Sequence, residues 1–424
     1  MQEQSLTQPE YKFFKREQED IIKAVSYFCE YHDLLHKYVK RGVIKSSLDR
    51  GAFVRPQDLL PSEIIELLAY KRDSHSYAYG PEKGDYILRE KISDVENVRH
   101  GTEYTLEWIA MMPGAWASLE FALEEVLQFK QGTLKKRRVV VIGPTLYQMF
   151  YYPIQSLGIE VIAYDFVKPN SSHIPLSMED IEEILKTKPS VIIITNPNNP
   201  DGKYFPTPVL EKLVEKAEEY GFYIFIDELQ NFFPLRATTE LCYGPWIQSP
   251  QVVRVDSAAK RYALAEYRVG WIIAHPKLLG NRIGGIVGRM SGIMGNAPRA
   301  ANTALITLMD KEKEKLQTGK DLFESKWKEL LEKEKYVTDR LLNMPHVNAI
   351  YPRDACINLT VYIDYEGSDL LLAEELMKQG TLIMPGSGYG YNSTPPILRI
   401  TFAERYEKLK HSLDALENVL KNNG

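Results

Sequence analysis

The chain has 424 residues, 44% of them hydrophobic and 26% charged, a globular composition with material for one large domain and a smaller one. A net charge of −5 gives no basic field for nucleic acid. Three cysteines (Cys29, Cys242 and Cys356), odd in number and far apart, make neither a disulfide framework nor a metal-ligand spacing.

The first twenty residues are polar and lack the apolar core of a secretory signal, and no apolar run reaches bilayer-spanning length. The expectation is a cytoplasmic protein in a reducing compartment, with no membrane partner. Residues from about Glu17 to Lys40 carry apolar positions at helical spacing (Ile21, Ala24, Val25, Phe28, Tyr31, Leu35), which predicts an amphipathic helix. His32 and His36 within it resemble a zinc helix, but Asp33 stands where such a helix has glutamate, and the pair reads as packing. The Pro- and Gly-punctuated stretch Ser46–Ser62 predicts a connecting loop.

From about Tyr77 short apolar runs alternate with amphipathic helical patterns. The runs are WIAMMPG, RVVVIGP, IEVIAYDF, SVIIITNP, FYIFIDE, QVVRVDS and VGWIIA. Such alternation predicts α/β layering with a mostly parallel central sheet sandwiched by helices, whose ligands gather at the carboxyl ends of the strands. Turn and polar clusters stand in that position: PGAWAS, GPTLY, NPNNPDG, DELQ and DSAAK. The last third predicts one charge-laced helix, about Lys311 to Leu342, then short strands NAIYP, INLTVYID, LIMPG and ILRITF. That is the pattern of a smaller α+β domain. We expect a large domain over residues 70–305, and a small domain made of residues 1–69 and 306–424.

Several residues carry chemical interest. Lys260 follows a strand, with Ser257 three residues before it and Arg268 eight after. It is either a surface lysine or an amine that forms a Schiff base beside a phosphate-gripping hydroxyl and guanidinium. Asp227 ends the strand FYIFID, as a structural cap, a metal ligand or a catalytic carboxylate. Asn199 lies in a turn-forming NPNNPDG, and Gly114, Ala115 and Trp116 begin a helix whose amides suit phosphate. Arg399, inside the apolar strand ILRITF, needs a partner, either an internal acid or a substrate carboxylate. Arg55, Arg282, Arg289 and Arg353 are unranked candidates for a second carboxylate.

The ordered series Tyr79–Gly84, PGAWAS, GPTLY, NPNNPDG, Asp227–Glu228, Ser257–Lys260, Arg268-Val-Gly and Leu398-Arg399-Ile resembles the class I/II aminotransferases, which are fold-type I pyridoxal-phosphate enzymes. The resemblance runs from about Tyr77 to Phe402. It implies a homodimer with shared active sites that moves an amino group from an L-amino acid to a 2-keto acid. By the same resemblance Lys260 is the Schiff-base lysine, Asp227 pairs with the ring nitrogen, and Asn199 meets the phenolic oxygen and the substrate. Gly114, Ala115, Trp116, Ser257 and Arg268 hold the phosphate, joined by Tyr79 of the neighbouring subunit. Arg399 takes the substrate carboxylate.

The chain departs from the family pattern at four places. Gln230 replaces the usual tyrosine beside the phenolic oxygen, and Leu146 stands where an aromatic stacks on the ring, with Tyr147 next in line to take over. Asp201 replaces a common threonine, and Ala259 precedes Lys260 in place of a second serine. These changes keep a lyase, cyclase or oxidase of an amino acid open as the alternative. A non-catalytic regulator on the same fold is a further rival, which an appended DNA-binding segment would favour; no helix-turn-helix pattern is present.

Overall fold

Alternate residues of the long apolar runs belong to two different cores. Val139, Val141, Val161, Val191, Ile193, Phe225, Val253 and Val255 fall in one cluster, while Val140, Ile142, Ile162, Ile192, Ile194, Ile224, Ile226 and Val252 fall in the other. Side chains alternate across a strand, so a run apolar at every position builds a sheet covered on both faces. Each such Val, Ile or Phe contributes about 1.5–3 kcal/mol by its burial.

The computed structural model describes residues 13–16, 18–53, 55–69, 79–130, 137–146, 148–166, 177–233, 241–281, 283–320 and 323–422. Its strands are β1 (Phe13–Arg16), β2 (Ser46–Ser47), β3 (Ile109–Met112), β4 (Arg138–Gly143), β5 (Glu160–Phe166), β6 (Val191–Thr195) and β7 (Tyr223–Asp227). They continue with β8 (Val252–Ser257), β9 (Gly270–Ile273), β10 (Val347–Tyr351), β11 (Asn358–Ile363), β12 (Thr381–Leu382), β13 (Met384–Pro385) and β14 (Ile397–Thr401). The large sheet has the order β1-β5-β4-β6-β7-β8-β9-β3. Its central five strands are parallel, while β1, β9 and β3 each pair antiparallel with their neighbours. The carboxyl ends of β3, β4, β6, β7 and β8 therefore lie along one edge. The architecture is α/β with a mostly parallel central sheet between helices, the fold expected from the alternation.

A second sheet, β10-β11-β14-β13, is antiparallel throughout. Leu359 pairs with Ile400 and Val361 with Leu398, all of them in the core. Alternating with these pairs, Thr360 faces Arg399 and Asn358 faces Thr401, so the opposite face of this sheet is polar there. It is nevertheless buried.

Four differences from the sequence reading have local causes. Phe13–Arg16, in a segment read only as polar, adds β1 to the edge of the large sheet. The single charged helix is two, Asn302–Thr318 and Glu324–Leu342, because Gly319 in a left-handed conformation (φ 70°) ends the first. LIMPG divides between two sheets, β12 pairing with β2 and β13 with β14. Ser46–Ser62 contains β2 and a helix start besides its turns. The helix Gln18–Lys40 forms as expected and packs against both the helix Asp369–Lys378 and β5. Among the described residues no helix is long and apolar enough to cross a membrane, and no three His, Cys, Asp or Glu side chains gather as a metal site.

Candidate active site

Strand register brings the sequence motifs together. Thr195 pairs with Asp227, and Asp227 with Val255, so the ends of β6, β7 and β8 are level. Gly270 of β9 pairs with Ser257 on one side and Met112 on the other. A Cβ on Gly270 would lie 2.9 Å from the Gly114 backbone, so only glycine lets the start of helix Ala115–Glu124 close onto this corner. Gly114 has φ 91°, and a Cβ there would stand 2.6 Å from Arg268 Nη2. The corner thus joins the unpaired first amides of a ten-residue helix, the Arg268 guanidinium and the Ser257 turn. Arg268 is itself left-handed (φ 52°), held by its Nη1 donating to the Ala265 carbonyl at 3.2 Å. A helix start with an arginine beside it is a cradle for an anion such as phosphate.

Ser257 caps the four-residue helix Ala258–Arg261, its hydroxyl accepting from the Ala259 amide at 3.1 Å. The helix carries Lys260, which is partly buried. Burial, and after it the Arg399 guanidinium, lowers the Lys260 ammonium to a pKa of about 8; Asp227 opposes the shift and Arg268 adds to it. An amine deprotonated so near neutrality can serve as a nucleophile or a proton carrier.

Asp227 is 2% exposed, and its Oδ1 accepts from the Leu229 amide at 3.0 Å. Burial raises its carboxyl to about 6; the Leu229 bond and Lys260 restrain the rise, and Glu228 adds to it. Glu228 itself is tied to Arg254, which reaches its two oxygens at 2.9 and 2.8 Å and Glu96 at 2.6 Å, and approaches His100 Nε2 at 3.0 Å. The Tyr243 ring lies 5.3 Å from this guanidinium.

Arg399 Nη1 donates to Asn199 Oδ1 at 3.3 Å and Nη2 to the Asp49 carbonyl, and the guanidinium lies 5.2 Å from the Tyr389 ring centre. These hydrogen-bond acceptors are neutral oxygens. Lys260, Asp227, Arg268, Arg399 and Asn199 thus converge. Gln230 is buried beside them in sequence, with its Oε1 lacking a partner among the described residues. Trp116 is 44% exposed on the first turn of its helix, and Tyr79 is 89% exposed, near Gly295. Tyr147 lies outside the described residues, and Leu146 is buried in the core.

Of the four arginines left unranked, three are engaged with acids: Arg55 with Asp58, Arg289 with Glu124 and Glu125, and Arg353 with Glu334. Arg282 lies outside the described residues. Sequence reasoning missed Asp49 and Gly51, which sit in an unremarkable loop, and it missed Asn358 and Thr360. The last two lie on β11, just after the turn at Arg353, whose next residues, Asp354 and Ala355, donate to the Gly202 carbonyl. The alternation Ile357-Asn-Leu-Thr-Val361 was the available signal for a polar face.

The family model described as "Aminotransferase class I and II" matches residues 51–416. An aspartate aminotransferase of Thermotoga maritima is 23% identical over 388 residues, covering 90% of this chain and 93% of its own. A tyrosine aminotransferase of Caenorhabditis elegans is 22% identical, covering 81% and 71%. Among solved structures, the Thermotoga maritima aspartate aminotransferase superposes with a TM-score of 0.74 at 22% identity, covering 92% and 97% of the two chains. The aromatic aminotransferase of Pyrococcus horikoshii gives 0.73 at 21% identity, covering 92% and 99%. With the family match spanning most of its length, the chain belongs to the class I and II aminotransferases and is an aminotransferase enzyme.

Proposed function

We propose that the chain uses pyridoxal 5′-phosphate on Lys260 to move the amino group of an L-amino acid to a 2-keto acid. The observation that carries this reading is the meeting of a lysine with lowered pKa, a buried aspartate and a glycine-lined anion cradle along one sheet edge. The residues fit the cofactor: Gly114, Ala115 and Trp116 with Ser257 and Arg268 would hold its phosphate, Asp227 its ring nitrogen, and Asn199 and Gln230 its phenolic oxygen. When bound, the cofactor supplies an aldehyde that condenses with amines and a ring that accepts the electron pair left by the α-proton. Lys260, neutral in part at physiological pH, would take up that proton on its Nζ and carry it as an ammonium. Asp227, an anion above about pH 6, keeps a ring nitrogen protonated. Arg399 orients the substrate by its carboxylate, with Asn199 steadying the guanidinium.

We read the large domain as residues 70–305 and the small domain as residues 1–69 and 306–424. The four-stranded sheet and the packing of helix Gln18–Lys40 on helix Asp369–Lys378 support this division; β1, at the edge of the large sheet, departs from it. We also read the enzyme as a cytoplasmic homodimer whose sites are completed by Tyr79 of the neighbouring subunit, a role its exposure suits.

The test is the visible spectrum of the protein reconstituted with pyridoxal phosphate, before and after each of a panel of amino acids without keto acid. The expected result is a Lys260-dependent band that a donor converts to the amine form of the cofactor and a keto acid restores. Lys260→Ala should lose the band and about 100- to 10,000-fold in rate. A band that survives while ammonia accumulates or oxygen is consumed would replace transamination with the lyase or oxidase outcome.

A further inference from the structure

The polar face of the four-stranded sheet holds more groups than the reading above uses. Asn358 and Thr360 are two apart on β11, and Thr360 pairs across to Arg399 on β14, so all three share one face. Each is buried, Asn358 to 1% exposure. Yet Asn358 Nδ2 and Oδ1, Thr360 Oγ1 and Arg399 Nε have no hydrogen-bond partner among the described residues. Buried amides are almost always satisfied, because leaving one unpaired is costly. Both ends of the Asn358 amide are open, so the argument holds whichever way the amide is turned.

Gly51 shows where these groups meet. A side chain there would stand 3.1 Å from Arg399 Nη1 and 3.2 Å from Asn358 Nδ2, so the two nitrogens border one gap that the glycine keeps clear. An anion with two oxygens suits a gap flanked by two donors, one of them charged.

We propose that Asn358 is a second reader of the substrate's α-carboxylate, donating from Nδ2 to one oxygen while Arg399 holds the other. This rests on the role given to Arg399 above. It makes the site selective for acids over the matching carboxamides: a carboxamide presents one oxygen only, and its NH2 group would face a donor.

The test compares Asn358→Leu, Asn358→Asp and Arg399→Leu, using the best donor from the amino-acid panel and that donor's carboxamide. Leucine in place of Asn358 should raise KM for the acid about 10- to 100-fold, the loss of one hydrogen bond to a charged group, with little change in kcat. The cofactor-free melting temperature should hold or rise, because an unpaired polar group has been removed. Aspartate should raise KM for the acid further and shift preference toward the carboxamide, whose NH2 it can accept. An unchanged KM in Asn358→Leu, with KM raised in Arg399→Leu, would overturn this assignment alone. An unchanged KM in both would overturn the role of Arg399 as well. A lowered melting temperature with unaltered KM would mean that Asn358 is structural.

Discussion

Replacing Asp227 by asparagine should strengthen the fold of the cofactor-free protein even though it destroys the site. A carboxyl whose pKa moves from 3.8 in the unfolded chain to about 6 in the folded one weakens folding as pH rises between those values. Below both values the group is protonated in both states and contributes nothing. Above about 6 the full penalty of about 3 kcal/mol applies, and at pH 5 about half of it. Asparagine removes the buried charge and keeps an oxygen to accept from the Leu229 amide, the bond that Asp227 makes at 3.0 Å. The attraction to Lys260 is lost too, but that matters only while the lysine is charged, below about pH 8. Urea unfolding of cofactor-free Asp227→Asn and its parent at pH 5 and pH 8.5 should therefore show a gain of about 1.5 kcal/mol at the lower pH and about 3 kcal/mol at the higher. Equal gains at the two pH values, or none at pH 8.5, would refute the reasoning.

Arg254→Met should have the opposite effect, because it strands the buried carboxylates of Glu228 and Glu96. We expect a loss of about 3–5 kcal/mol, and adding Glu228→Gln and Glu96→Gln should recover most of it in the same urea unfolding. Gly114→Ala puts a methyl group 2.6 Å from Arg268 Nη2 at a φ of 91°. It should destabilise the protein by about 1–2 kcal/mol and weaken pyridoxal-phosphate binding at least about tenfold in fluorescence titrations.

The large sheet was legible because its strands are apolar at every position and end in turn residues. A covered parallel strand produces that pattern and little else does. Asp227, Lys260 and Arg399 were legible for a related reason: a charge set against an apolar strand demands an explanation. Asp49 and Gly51 were not. One acts through a main-chain carbonyl and the other through a missing Cβ, and neither leaves a mark on residue type that distinguishes it from an ordinary loop. The break at Gly319 was overlooked because the charged pattern continues on both sides of it. The division of LIMPG between two sheets depends on partners, β2 and β14, that lie far from it in sequence.

The contact between the Arg399 guanidinium and the Asp49 carbonyl spans 350 residues. At about 5–20 residues per second, a ribosome needs roughly 20–70 s to travel from one to the other. Throughout that interval the loop around Asp49 exists without the strand that will fix it, and β2 without its partner β12, which begins at Thr381. The central parallel strands, finished by Ser257, are synthesised well before then. Chain synthesis thus delivers the residues of the anion cradle, Asp227 and Lys260 first, and the Arg399–Asp49 contact last. A chain truncated before Ile397 would retain the residues of the anion cradle and the lysine, yet lack Arg399, to which we assign the substrate carboxylate.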